Sequence, residues 1–313
     1  MFRLTAKIEI LSDRKWEINH VTAVEIVRDT EQLTDTCKVT LPKSLKWDGQ
    51  SSIPLRRGDR IQVWLGYDGV LELAFVGYIR DIGFKTPVVL TCEDEMYRLK
   101  QMPTTKKAYR TVTIAELLEG QGIKGAKVFG EQRLGQFRVT EDNVASLLGR
   151  LQDSGIRSFF RYENGAPVLY SGVLFERDVK PSQVFATGLN LIEYNRLEQV
   201  SADSQRIKVK ATSIMPNNKR IRIEVGDMDG QTRTVHCYNK TEAELRAWAE
   251  QEIRRLKRDG LSGSFKTFGY RLVDKLDTIG IIIDGKRMGL YHVKKNIIRF
   301  DTSGYRQEVT ISN

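Results

Sequence analysis

The feature that most limits what this chain can fold into is a hairpin that it writes twice. Residues 57–84 read RGDRIQVWLGYDGVLELAFVGYIRDIGF, and residues 273–300 read VDKLDTIGIIIDGKRMGLYHVKKNIIRF. Laid side by side, Asp59 meets Asp277, Ile61 meets Ile279, the Asp68-Gly69 pair meets Asp284-Gly285, and the copies close on Phe84 and Phe300. Apolar residues alternate on either side of each Asp-Gly pair, and Asp-Gly supplies the positive φ angles that a two-residue hairpin turn needs. In the first copy Ile61 and Val63 share one face and Trp64 takes the other. A unit written twice predicts two related β-domains, with the rest of the chain separating and decorating them.

Strand signals are dense around the first copy. Leu4, Ala6, Ile8 and Ile10 alternate with Arg3, Thr5, Lys7 and Glu9; Trp16 and Ile18 lead into 23–27; Cys37, Val39 and Leu41 alternate up to Pro42; and 88–92 adds another strand. Many short strands at near-regular spacing predict an antiparallel barrel over residues 1–102.

The pattern changes at Met102-Pro103. Thr113 and Glu116 have capping-box spacing before Ile114, Leu117 and Leu118, and Val144, Leu147, Leu148 and Leu151 recur at helical spacing from about Thr140 to Asp153, with Gly155 placed to close that helix. A hairpin about Glu163-Asn164-Gly165 follows. Residues 103–175 therefore read as a small α+β insertion module, and residues 176–313 as a second barrel. The latter contains a helix over 241–259, capped by Thr241 and Glu244, whose stripe of Leu245, Trp248, Ile253 and Leu256 is expected to pack on that barrel. Lys257 and Arg258 suit the negative end of its dipole, and Gly260 stops it.

Charge is uneven along the chain. The formal excess is 0 over 1–102, +3 over 103–175 and +7 over 176–313, which together make the net +10. Arg206, Lys208 and Lys210 alternate with apolar residues, and after a turn at Pro216-Asn217-Asn218 so do Arg220 and Arg222. Five cations are thereby expected on one face of a two-stranded ribbon. Like charges on neighbouring strands are costly, so such a face either meets water, which also protects a sheet from aggregating, or meets something negative as a partner surface or channel wall.

Nothing predicts catalysis, a cofactor or a metal. Asp227-Met228-Asp229-Gly230 resembles the start of a calcium loop, but its twelfth position is Tyr238 where a bidentate Glu is required, so a hairpin turn is expected there. His236 and Cys237 are adjacent on a strand and point to opposite faces, which precludes joint ligation. The three cysteines, Cys37, Cys92 and Cys237, sit in apolar strand patterns as small core residues. No stretch matches a membrane span, so no membrane anchor is predicted, and the N-terminus begins as a strand instead of a signal peptide. The bacterial cytoplasm is the expected site of synthesis.

Three sets of residues carry a resemblance. Gly58-Asp59-Arg60-Ile61, Gly66-Tyr67-Asp68-Gly69 and Phe75-Val76-Gly77-Tyr78-Ile79 resemble the N-terminal barrel of the phage late control D family, the baseplate hub of contractile tails. The stretch from Thr140 to Gly172 is similar to that family's helix-then-hairpin module. The stretch from Thr241 to Ile283, with Glu242-Ala243, Arg246-Ala247 and Asp277-Thr278, resembles its capped helix and closing barrel. Two departures stand out: the family usually places Gly or Pro-Gly before the second Asp, where this chain has Leu276, and the chain stops at Asn313 without the oligosaccharide-binding-type barrel and spike of the type VI secretion relatives. The resemblance implies two tube-protein-like barrels per chain and a homotrimeric, pseudo-sixfold ring joining the tail tube protein to a spike on a separate chain. DNA or the tape-measure protein would pass through that ring transiently. Two other readings stay open: a nucleic-acid-binding β-barrel protein, which lacks interleaved exposed aromatics, and a cell-wall-processing tail component.

Overall fold

The computed structural model describes residues 3–312 apart from 44, 48–52, 84, 131–132, 174, 176–178 and 258; Phe84, Glu176 and Arg258 of the readings above lie outside the described residues. The first third of the chain is mainly strand: β1 (Leu4–Leu11), β2 (Lys15–Ile18), β3 (Ala23–Asp29), β4 (Thr36–Thr40), β5 (Arg60–Tyr67), β6 (Val70–Ile82) and β7 (Val89–Glu93). The middle holds α1 (Met96–Gln101), the short strands β8 (Ala108–Tyr109) and β9 (Val112–Thr113), and α2 (Ile114–Gly120). It continues through β10 (Lys127–Phe129), β11 (Arg133–Leu134), β12 (Phe137–Arg138), α3 (Val144–Asp153), β13 (Arg157–Glu163) and β14 (Ala166–Gly172). Then come β15 (Gln183–Ala186), β16 (Leu191–Val200), β17 (Ile207–Ile214), β18 (Arg220–Gly226), β19 (Gln231–Tyr238) and α4 (Glu242–Leu256). The chain ends with β20 (Gly260–Phe268), β21 (Thr278–Ile283), β22 (Lys286–Asp301) and β23 (Gly304–Ser312).

Both Asp-Gly pairs are hairpin turns with matching backbones: φ is 52° and 83° at Asp68-Gly69, and 49° and 78° at Asp284-Gly285. They join β5 to β6 and β21 to β22. The likeness extends well past the hairpins. One half of the main sheet runs β3-β4-β7-β6-β5-β1, and the other runs β16-β20-β23-β22-β21-β15, the same path in the same chain order. A single departure has a topological cause. β1 lies antiparallel to β5 while β15 lies parallel to β21, because the extra strand β2 reverses the chain once between β1 and β3.

The two halves keep separate cores but share one sheet. They are consecutive stretches of one 13-stranded sheet, joined where β22 pairs antiparallel with β3, from Lys295 opposite Asp29 to Phe300 opposite Val24. At 16 residues β22 is about 53 Å long at 3.3 Å per residue. Its first part pairs with β21 and lines the second core, which holds Phe185, Phe265, Ile279, Tyr291 and Val309. Its last part enters the first core, where Ile298, Phe300 and Tyr305 pack with Ile26, Val39, Ile61 and Leu90.

The middle module has its own core. Met96 and Leu99 of α1, Leu117 and Leu118 of α2, and Leu147, Leu148 and Leu151 of α3 are buried together. Thr113 and Glu116 form the expected capping box. The helix after it starts later than its periodicity suggests, at Val144, because the Asn143 side chain accepts the Ser146 N–H and caps it there.

Residues 207–256 depart from expectation. α4 does not pack on the second barrel. Leu245 and Ala249 are buried with Ile207, Val209, Ala211, Ile223 and Cys237, and Trp248, Ile253 and Leu256 flank them, so α4 covers one face of a separate three-stranded sheet, β18-β17-β19. This small sandwich is inserted between β16 and β20, at the place where the first half has only the β3–β4 connection. Residues 227–230 are not a hairpin turn either. β18 and β19 lie on opposite sides of β17, antiparallel and parallel to it, and the four residues cross over its start. The Asp227 carboxylate accepts the Ile207 N–H at 3.3 Å and a proton from Lys257 at 2.9 Å, tying the crossover to the end of α4. Among the described residues no helix is long and apolar enough to cross a membrane.

Candidate functional site

The cationic ribbon resolves into rows across β18, β17 and β19. Lys210 stands between Glu224 and Thr234, Thr212 between Arg222 and His236, and Ile214 between Arg220 and Tyr238. Lys208, Lys210, Arg220 and Arg222 share the face away from α4, with Arg220, Arg222 and Lys210 exposed; Arg206 is exposed just before β17 begins. Glu224, two residues beyond the stretch that drew notice in the sequence, sits among them. It accepts Lys208 at 2.6 Å and Lys210 at 3.3 Å, which lowers its own pKa and neutralises the Lys208 end of the strip. The free cationic edge is therefore Arg220 and Arg222. The β19 side rests on the middle module. Tyr238 donates to the Ser154 carbonyl at 3.2 Å, and a Cβ on Gly155 would lie 2.7 Å from that of His236. Burial, then Arg220, pushes the His236 pKa down.

A second constellation left only Asp277 and Leu276 as traces in the sequence. The loop from Asp274 to Asp277, just before β21, is the counterpart of Arg56 to Asp59 before β5, bond for bond. The Asp59 carboxylate accepts the Arg56 N–H at 2.7 Å, and the Asp277 carboxylate accepts the Asp274 N–H at 2.8 Å. Gly58 N–H donates to Ile79 and Leu276 N–H to Val293, at 2.8 and 2.9 Å. Gly58 has φ +92°, and Leu276 holds φ +68° in its place. A left-handed backbone costs a side-chain-bearing residue about 1–2 kcal/mol, so something must retain the leucine. Its side chain is buried against Phe159 and Tyr170 of the middle module, with Phe129, Val168 and Phe175 around them.

The other residues of this loop reach in different directions. Lys275, fully buried, donates to both oxygens of Asp35 at 2.8 and 2.7 Å, with Phe159 beneath it at 4.9 Å. Asp277 accepts Arg161 at 2.7 Å, and Asp274 lies 3.7 Å from both Arg161 and Arg28. Burial works against an ionised Asp274, yet Arg28, Lys275 and Arg161 together hold its carboxyl below the usual range. Asp35 and Asp94 brace each other through their backbones: the Asp94 carboxylate accepts the Asp35 N–H at 3.2 Å and the Asp94 N–H donates to the Asp35 carbonyl at 3.1 Å. Four consecutive residues thus touch both halves of the sheet and the module.

Burial, then repulsion from Asp35, pushes the Asp94 pKa up to about 8. A free aspartate titrates near 3.9, so between about pH 4 and pH 8 the folded chain holds a proton that the unfolded chain has released. Stability is expected to fall as pH rises through that window and to level off above it. Asp94→Asn should flatten the slope between pH 5 and pH 8, measured as Tm against pH. An unchanged slope would place the titration elsewhere.

Neither a protein-family model nor a curated protein matches the chain. Solved structures do. A tail protein from Neisseria meningitidis MC58 matches 99% of this chain and 96% of its own at TM-score 0.63 and 14% identity. The 43 kDa tail protein of prophage MuSo2 from Shewanella oneidensis matches 99% of this chain and 97% of its own at 0.62 and 16%. The fold is that of phage tail proteins. The E. coli c3393 protein, a component of the type VI secretion system with structural similarity to the T4 bacteriophage tail proteins gp27 and gp5, matches 93% of this chain and 73% of its own at 0.52 and 10%. Within this tail fold the glycines of the resemblance acquire reasons: Gly58 turns the chain at positive φ ahead of Asp59, and Gly77 lies where a Cβ would meet the Glu93 carbonyl oxygen at 2.1 Å.

Proposed function

We propose that the protein is the structural hub of a contractile phage tail baseplate, of the prophage type. Three copies close into a ring that joins the sixfold tail tube to a threefold spike. One observation carries this reading: the same six-strand path is executed twice in a single chain. Three chains then present six similar units, and a head-to-tail contact repeated by a threefold rotation closes without a free end. The tail-protein fold supports the same conclusion. The role is mechanical and involves no catalysis; assembly takes place in the bacterial cytoplasm, the finished ring resides in the virion tail, and DNA or tape-measure protein crosses it in passing.

Light scattering over a concentration series tests the ring. Three times 35.8 kDa, about 107 kDa, is expected for the protein alone, or that mass plus the spike's own once the spike is added. A dimer under all conditions overturns the reading.

The cationic edge supplies a separate test. Arg220 and Arg222 changed together to Glu should alter stability by less than about 1 kcal/mol, because exposed charge changes cost little. Co-assembly with tube or spike, scored by pull-down and electron microscopy, should fail. Normal assembly would return these residues to a solvated exterior.

A further inference from the structure

The loop from Asp274 to Asp277 differs from its twin in a telling way. Arg56, Arg57 and Gly58 are exposed and Gly58 takes the backbone that glycine prefers, whereas Lys275 and Leu276 are buried and Leu276 is held in a backbone that leucine avoids. One copy of a duplicated turn has kept its bonds and gained contacts that the other lacks, all directed at the middle module and the first half of the sheet. A strained backbone persists only where its surroundings over-determine it, and such places are commonly two-state elements.

The module is also held at its edges, where Gln152 donates to the Glu31 carbonyl at 2.6 Å and Tyr238 to that of Ser154, but two clefts flank this turn. A cleft of about 210 Å³, lined by Arg28, Asp35, Asp94, Arg161 and Asp274, lies on one side of it. A larger cleft of about 980 Å³, lined by Leu276, Val293, Phe175, Arg157 and Trp248, lies on the other. The module has a core of its own, and the chain enters it from the first half at Asp94, immediately before α1.

We propose that the 274–277 turn is a releasable clamp: it holds the β13–β14 face of the middle module against both halves of the sheet, and its opening loosens that face and merges the two clefts. This holds for a single chain and does not depend on the ring. Proton release is the lever. Asp94 is faced by Asp35 beyond β3, Lys275 and Asp274 of the clamp, Arg28 of β3, Arg60 of β5, Arg161 of β13, and Glu95 and Arg98 at α1. Lys275 is taken by Asp35, and Asp94 makes its hydrogen bonds to backbone N–H groups. Those N–H donors and Lys275 favour the ionised carboxylate, but burial and the nearby Asp35 outweigh them, so the closed clamp keeps the Asp94 proton, and opening, which wets the carboxyl, releases it. Higher pH favours the open form.

Hydrogen exchange on the full chain tests this. Leu276→Gly relieves the backbone and deletes only the side-chain grip, so the chain should fold while amide protection in β13 and β14 drops about tenfold or more and that in β1, β5 and β7 is retained. In the unmodified protein the same module amides should lose protection between pH 7 and pH 9 beyond the intrinsic rate increase, and in Asp94→Asn they should not. Module protection unchanged in Leu276→Gly, or lost equally throughout the main sheet, overturns the clamp, as does an unaltered pH response in Asp94→Asn.

Discussion

Lys275→Met is expected to cost about 3–5 kcal/mol, the usual consequence of removing one partner from a buried ion pair. The side chain is similar in length and apolar, so little packing is lost; what remains is Asp35, buried beside Asp94 with no cation bonded to it. With roughly 2–4 °C of Tm per kcal/mol for chains of this size, a drop of about 10 °C should appear in a thermal scan at pH 8. Burial raises the Asp35 pKa further once the lysine is gone, so the deficit should shrink at pH 5, where the carboxyl takes a proton. The double variant Asp35→Asn/Lys275→Met should recover much of the loss, since two neutral groups need no desolvated charge to be matched. A loss under about 1 kcal/mol in the single variant would mean that water reaches Asp35.

Gly77→Ala is expected to be as severe for a purely steric reason. Gly77 stands opposite Ile61 in β6, and a Cβ there would lie 2.1 Å from the Glu93 carbonyl oxygen and 2.8 Å from the Phe75 ring. The oxygen belongs to the backbone of β7 and cannot swing aside, so β6 and β7 would have to part, at about 4 kcal/mol or more. Gly69→Ala is the matched control: its φ is +83° but nothing lies within 4 Å of the new methyl, and about 1–2 kcal/mol of backbone strain is expected. Near-ultraviolet circular dichroism and soluble yield distinguish them. A soluble Gly77→Ala with near-parental Tm would show that the sheet yields more readily than its contacts allow.

What could be read in the sequence was local. Asp-Gly between alternating runs, Thr113 with Glu116, Thr241 with Glu244, and Gly155 after a leucine stripe each encode their structure within a few residues, and each formed. The repeat was legible because both copies kept the same turn chemistry. The pairing of β22 with β3 was not, since nothing in residues 295–300 names a partner some 270 positions away. The sandwich of α4 on β17 to β19 was assigned to the wrong layer because an apolar stripe says that it is buried, and leaves open against what. The crossover at 227–230 was misread for a related reason: turn residues are the same whether the next strand lies beside the last or one strand further. The clamp left no pattern, for Asp-Lys-Leu-Asp is unremarkable until the fold brings Asp35, Arg28 and Arg161 around it. Its traces were Asp277, which matches Asp59 in the repeat, and the leucine standing where the family resemblance expects glycine.

The β3–β22 pairing also sets a schedule for the ribosome. The first core needs Ile298, Phe300 and Tyr305, so it stays unfilled until the codons for residues 298–305 have been read. At about 5–20 residues per second, some 10–40 s separate the appearance of β7 from that of β23. During this interval β3 presents an unpaired edge and the nascent first half cannot assume its finished shape. A product that stops short of β23 therefore lacks a finished first half and cannot present that half's completed surface.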